Sequence, residues 1–158
     1  MKTEDVMQRL KDVKVEEALE AADKVEDKKE LAIKLTEFAG ALTYLTNHPL
    51  IAEVILKKSL LLNFDHAPTH YNLGVLYTTP PMVEENKSNV EKAERAYKMA
   101  IKLDPKHYEA RYNLALIYYF TGRVEEAEKE YGEITASIGD DVRFRELGVL
   151  LMQLKKTK

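Results

Sequence analysis

An all-α fold, an antiparallel helix-pair solenoid, follows from three observations on the 158-residue chain. Six glycines and five prolines leave little punctuation. Long stretches carry apolar residues three and four apart, the spacing of one helix face, and alternating β-branched runs are absent. The third observation is internal repetition. "HYNLGVLY" (70–77) recurs as "RYNLALIY" (111–118), and "VEKAERAYKMAI" (90–101) as "VEEAEKEYGEIT" (124–135). Ala93 to Ala127 and Tyr97 to Tyr131 each span 34 residues, whereas Tyr77 to Tyr118 spans 41. Second helices therefore repeat at 34, and first helices lie seven residues further apart. A period of this size belongs to stacked helical units that bury their faces against neighbours.

The whole chain, 1–158, reads as one domain, and its elements follow in order. Residues 1–32 form a degenerate N-terminal unit. Ala18 in "VEEALEAADKV" echoes "VEEAE" at 124–128, but Asp5 stands where a first helix needs a buried Leu. Residues 33–66 are a diverged repeat, with Ala39-Gly40 and Ala52-x3-Leu56 one period before the clearer copies. Residues 67–107 and 108–140 are the two clear repeats, the first closed by Pro105 and the second by Gly139. Residues 141–158 hold Leu147-Gly148 on a lone capping helix. In each pair, small residues at Gly74, Ala93, Ala115 and Ala127 admit close helix approach. Leu73, Tyr77, Tyr97 and Leu114 then interlock across the contact.

One stretch breaks the period: "TTPPMVEENKSN" at 78–89. Adjacent prolines cannot lie within a helix, so Pro80 and Pro81 should end the first helix near Thr78 or Thr79, with a loose turn at "MVEE". Ser88 and Glu91 make a capping box, which starts the next helix near Asn89. The excess of seven residues reads as a surface insertion inside one repeat, with Met82 and Val83 exposed and available to a partner. Lengthening a loop costs little, so removing those seven residues should leave stability unchanged.

The two clear copies resemble the tetratricopeptide repeat, whose pattern is W-x2-L-G-x2-Y…A-x3-F…P. The first reads His70-x2-Leu73-Gly74-x2-Tyr77, Ala93-x3-Tyr97, Pro105; the second reads Arg111-x2-Leu114-Ala115-x2-Tyr118, Ala127-x3-Tyr131, Gly139. Neither has the family's Trp. The resemblance implies a right-handed superhelix whose first helices line a concave groove for a peptide or helix of a partner protein. Carried over by repeat position, it points to Lys34, Glu37, Ala41, Tyr44 and Leu45, then to Tyr71, Val75 and Thr78. It points next to Glu109, Tyr112, Leu116, Tyr119 and Phe120, and to Arg145 and Val149 on the cap. Asn72 and Asn113 are placed to hold a ligand backbone. Family members that clamp a C-terminal carboxylate use Lys, Asn and Arg; here those positions hold Glu37, Ala41 and Glu109, with Asn113. An apolar or amphipathic segment is therefore the expected ligand.

Composition narrows the rest. A net charge of −3 with Lys and Glu dispersed gives no footprint for a phosphate backbone, so nucleic acid is not expected. No cysteine is present, which removes disulfides, thiol catalysis and cysteine zinc sites. No apolar run suits a secretory signal or a membrane span, and a cytoplasmic protein without membrane insertion is the reading. His48, His66, His70 and His107 fall at repeat boundaries or early helix turns. His66 and His70 are four apart, but Pro68 interrupts the helix a zinc pair would need, so they read as surface residues and no metal is expected. Glu16–Glu17, Glu84–Glu85 and Glu125–Glu126 are adjacent and cannot face each other as acid–base dyads. Without a phosphate loop or nucleophile motif, the chain is expected to be neither an enzyme nor a cofactor carrier. A protein-binding adaptor is the leading function. Its rivals are a self-associating scaffold, which would be a homo-oligomer, and a regulatory subunit of a larger complex.

Overall fold

The computed structural model describes residues 1–45 and 48–157 and contains, among these, ten α-helices and no strand. Helices pair with their neighbours in sequence, as a helix-pair repeat requires. The chain divides into two compact units, Met1–Ala96 and Tyr97–Lys158.

Unit 1 begins with α1 (Thr3–Lys11) and α2 (Val15–Ala22). Asp5, expected at a buried position, is exposed and accepts the Lys2 backbone N–H at 3.1 Å, at the third residue of the helix. Val6 and Leu10 supply the buried face instead, opposite Ala18, Ala21 and Ala22. The degraded N-terminal copy is thus a complete pair of short helices. Next come α3 (Lys28–Leu45) and α4 (Pro49–Leu62), with α3 starting before the repeat boundary expected at 33. Leu31, Leu35, Ala52, Ile55 and Leu56 are fully buried in this pair. Then follow α5 (Ala67–Thr78), α6 (Pro80–Glu85) and the first part of α7 (Ser88–Leu103). Helix α5 packs on both α3 and α4.

The insertion differs from its sequence reading. "PPMVEE" is a helical turn and a half rather than a loose turn, because prolines at the first two positions of a helix need no amide partner and arrive with helical φ. Thr79 holds the junction: its hydroxyl donates to the Leu76 carbonyl at 2.6 Å, and its own carbonyl accepts the Val83 N–H at 3.0 Å. Met82, expected in solvent, is 5% exposed, since the helical turn rolls it inward. Asn86 closes the following turn, its Oδ1 accepting the Ser88 N–H at 2.9 Å, and α7 starts at Ser88. Buried Asn89 donates from Nδ2 to the Met82 carbonyl at 2.7 Å, and Lys92 lies over the Tyr77 ring.

Unit 2 takes the rest of α7, then α8 (Tyr108–Phe120), α9 (Val124–Ile138), a 3-10 turn (Val142–Phe144) and α10 (Arg145–Lys156). Ala115 and Ala127 are fully buried in the α8–α9 pair, with Leu114 and Tyr118 almost so, which is the small-against-large pattern of the sequence. Arg111 and Glu130 bridge the same pair at 2.7 Å with both side chains mostly covered. Gly139, at φ 74°, ends α9 in the left-handed region that favours glycine. Helix α10 then packs on α9 through Leu147 and Leu151.

Candidate partner-binding faces

In unit 1 the candidate residues lie on α3 and α5. Tyr44 and Leu45 end α3 at 71% and 81% exposure, so two large apolar side chains stand in water. Lys34 and Glu37 are exposed one turn apart and 3.8 Å from each other. On α5, Tyr71 and Val75 are half-buried. Asn72 is committed within the fold: its Nδ2 donates to the Thr36 carbonyl at 3.3 Å. A Cβ at Gly40 would lie 3.0 Å from the same nitrogen, so a side chain there would push the Asn72 amide by a few tenths of an ångström.

In unit 2 they lie on α8 and α10. Tyr112 is half-buried and tilted against the buried Phe144, 5.1 Å between ring centres. Burial pushes the Tyr112 phenol above its ordinary range. Asn113 donates to the Tyr97 hydroxyl at 3.3 Å, so neither asparagine has its amide N–H groups wholly free for a ligand. Leu116 is half-buried. Tyr119 and Phe120 meet edge to face at 5.2 Å, and Phe120 is 74% exposed. Glu109 bonds Arg143 at 2.9 Å, and Arg145 bonds Asp140 at 3.0 Å, which raises the Arg145 guanidinium further above its ordinary range. Arg143 thus ties the cap to α8, and Arg145 pairs with the turn before α10. Val149 on α10 remains largely open.

The four histidines are not all superficial. His70 is 5% exposed, its Nε2 donating to the Phe64 carbonyl at 2.8 Å and its ring edge-on to Phe64. The Phe64–His70 contact follows from the tight turn before α5, which folds the preceding loop back on the helix. Glu53 and Tyr77 form a second polar pair missed by the repeat pattern, 2.8 Å apart, with Lys57 on the same carboxylate. Burial is the largest influence on Glu53 and pushes its pKa up, but Lys57 and Tyr77 together outweigh it and hold it low. Burial first, and then the Glu53 bond, push Tyr77 far above its usual range. No signal at 34-residue spacing marks such a pair, because it joins different elements of one unit.

Among the described residues no group of three or more His, Asp and Glu side chains gathers as metal ligands, and no helix is long and apolar enough to cross a membrane. Residues 87–149 match the family model described as "Tetratricopeptide repeat". That region, from just before α7 into α10, is similar to the tetratricopeptide repeat in sequence, and it contains the α8–α9 helix pair. Repeats of this family generally mediate protein–protein interactions, and the fold is typically non-catalytic. No curated protein matches the chain.

Proposed function

We propose that this chain is a non-catalytic adaptor that captures an apolar or amphipathic segment of a partner protein along its first helices. One observation carries the reading. Tyr44-Leu45 and Tyr119-Phe120 occupy the same two repeat positions, 75 residues apart, or two periods of 34 plus the extra seven. At those positions Tyr44, Leu45 and Phe120 are 71%, 81% and 74% exposed, where a monomer has no use for them. Rigid aromatic side chains lose little entropy on binding and anchor interfaces. Tyr71, Val75, Leu116 and Arg145 belong to the surroundings of these anchors in this reading. A photocrosslinking residue at Tyr44 or at Phe120 should trap the partner in a host lysate, while the same group at Lys129 on α9 should not. Replacing Tyr119 and Phe120 with Ala should cut capture at least about tenfold with the helical signal intact. Equal trapping at all three sites, or unchanged capture, overturns the proposal.

A second reading, self-association or docking within a larger assembly, is favoured by α4. Leu50, Val54 and Leu61 share one outward stripe and are 66%, 48% and 83% exposed. Light scattering over a concentration series separates the two: a monomer throughout argues against self-association.

A further inference from the structure

Each helix pair has a second helix whose buried alanine marks its inner face: Ala18 on α2, Ala52 on α4, Ala93 on α7 and Ala127 on α9. Two residues before that alanine, and two, five and nine after it, lie on one stripe of the opposite face. In α7 the stripe is Glu91, Arg95, Lys98 and Lys102, and in α9 it is Glu125, Lys129, Gly132 and Ala136. Helix α2 is long enough only for Glu16 and Glu20. All of these are exposed, as a solvated face should be. In α4 the same four places hold Leu50, Val54, Lys57 and Leu61, and they are exposed too. A single exposed leucine is ordinary, but three large apolar residues on a stripe that the sister helices keep charged or small form a surface built to be covered.

The sequence of the stripe says what covers it. Its spacing, 50–54–57–61, is the four-three-four step of a two-helix coiled-coil seam. It reads the same in both directions, so it is complementary to itself. A two-fold rotation about the point midway between Val54 and Lys57 lays Leu50 of each copy on Leu61 of the other, and Val54 on Lys57. Each Lys57 then covers a valine with its methylene stem, and its ammonium keeps Glu53 of its own helix at 2.8 Å. The flanking Glu53 and Lys58 are also held within the chain, by Tyr77 and Asp23, so the pairing strands no charge. A parallel pairing would set Lys57 against Lys57. A helix from another protein would have to bring an acid for Lys57, whereas a second copy needs none.

We propose that α4 is a homodimer seam, in which two copies pair antiparallel through Leu50, Val54, Lys57 and Leu61. This rests on the self-association reading above and gives it a partner and a register. A single helix pair about 21 Å long is a small interface, so the dimer is weak and depends on concentration.

The chain has no cysteine, so single cysteines report the register. In the antiparallel pair, like positions at either end lie 11 residues apart along the helix, at least about 16 Å and beyond the reach of a disulfide. Full-length Leu50→Cys and Leu61→Cys variants are mixed and mildly oxidised at a concentration where light scattering shows wild-type dimer. They should cross-link to each other at least about tenfold more than either does to itself. Lys129→Cys, at an outward place on α9, is the collision control. Preferred self-linking of either variant, or linking no better than the Lys129→Cys control, overturns the seam, while the wild-type dimer leaves self-association standing. A wild-type monomer at every concentration overturns both and leaves the stripe to a partner's helix.

Discussion

The α1–α2 and α8–α9 hairpins turn in the same way with different residues. Val13 and Gly122 are 109 residues apart, three periods of 34 plus the extra seven, and each precedes a basic residue and then Val-Glu-Glu-Ala. Both sit in the left-handed region, at φ 61° and 79°. The bonds also correspond. Lys14 N–H donates to the Arg9 carbonyl at 2.8 Å, and Arg123 N–H to the Tyr118 carbonyl at 2.7 Å. Glycine takes this conformation freely, whereas a β-branched residue is strained there. Val13 is nevertheless held, 78% exposed, because Ala18 behind it is as fully buried as Ala127. Tertiary burial of the small residue, not the turn residue, sets the hairpin. The two differ in reinforcement. Arg123 stacks 4.3 Å from the Tyr118 ring centre and grips Glu126 through two bonds, whereas Lys14 only approaches Glu17 at 3.7 Å. The position of buried Tyr118 is held in the first hairpin by the partly exposed Arg9.

If the first hairpin is the looser one, overpacking should expose it most clearly. Ala127→Leu should destabilise by about 1–3 kcal/mol and Ala18→Leu by visibly less, measured by denaturant unfolding. Equal losses would remove the distinction. The turn residues come next. Gly122→Val should cost about 1–2 kcal/mol, and Val13→Gly should stabilise by roughly 1 kcal/mol or slightly less, because glycine also adds entropy to the unfolded chain. A destabilised Val13→Gly would mean that Val13 is not strained. The smallest effect belongs to the reinforcement: Arg123→Ala should cost about 0.5–1 kcal/mol, and Lys14→Ala close to nothing. A thermal melt resolves the first and should show no shift for the second.

The sequence carried the helix pairs well because a pair needs only small residues at fixed spacing, and Gly74, Ala93, Ala115 and Ala127 are all buried where that spacing put them. Features that depend on a second element were less legible. Thr36, Ser59 and Thr69 meet only after three helices pack, and singly each reads as an unremarkable helix residue. The first helix of the N-terminal copy was obscured because its buried pair, Val6 and Leu10, is offset from the position where Asp5 interrupts the pattern. The candidate faces were legible as positions but not as commitments. Nothing in "YNL" tells that Asn72 reaches the Thr36 carbonyl, or that Tyr112 leans on Phe144. Conversely, exposure at Tyr44 and Phe120 follows from their place at the ends of first helices.

The six residues of α6 change what can be removed from the chain. Asn89 is 5% exposed and directs its Nδ2 to the carbonyl of Met82, itself buried. Cutting out seven residues to restore the 34-residue period would strand that amide in a dry site, at a cost of about 1–3 kcal/mol. Shortening is therefore not neutral, contrary to the loop-length argument. The insertion and Asn89 have become mutually dependent, and neither can be lost alone without penalty. A path back to the regular period therefore has to change both together or pass through a penalised intermediate, whichever is lost first.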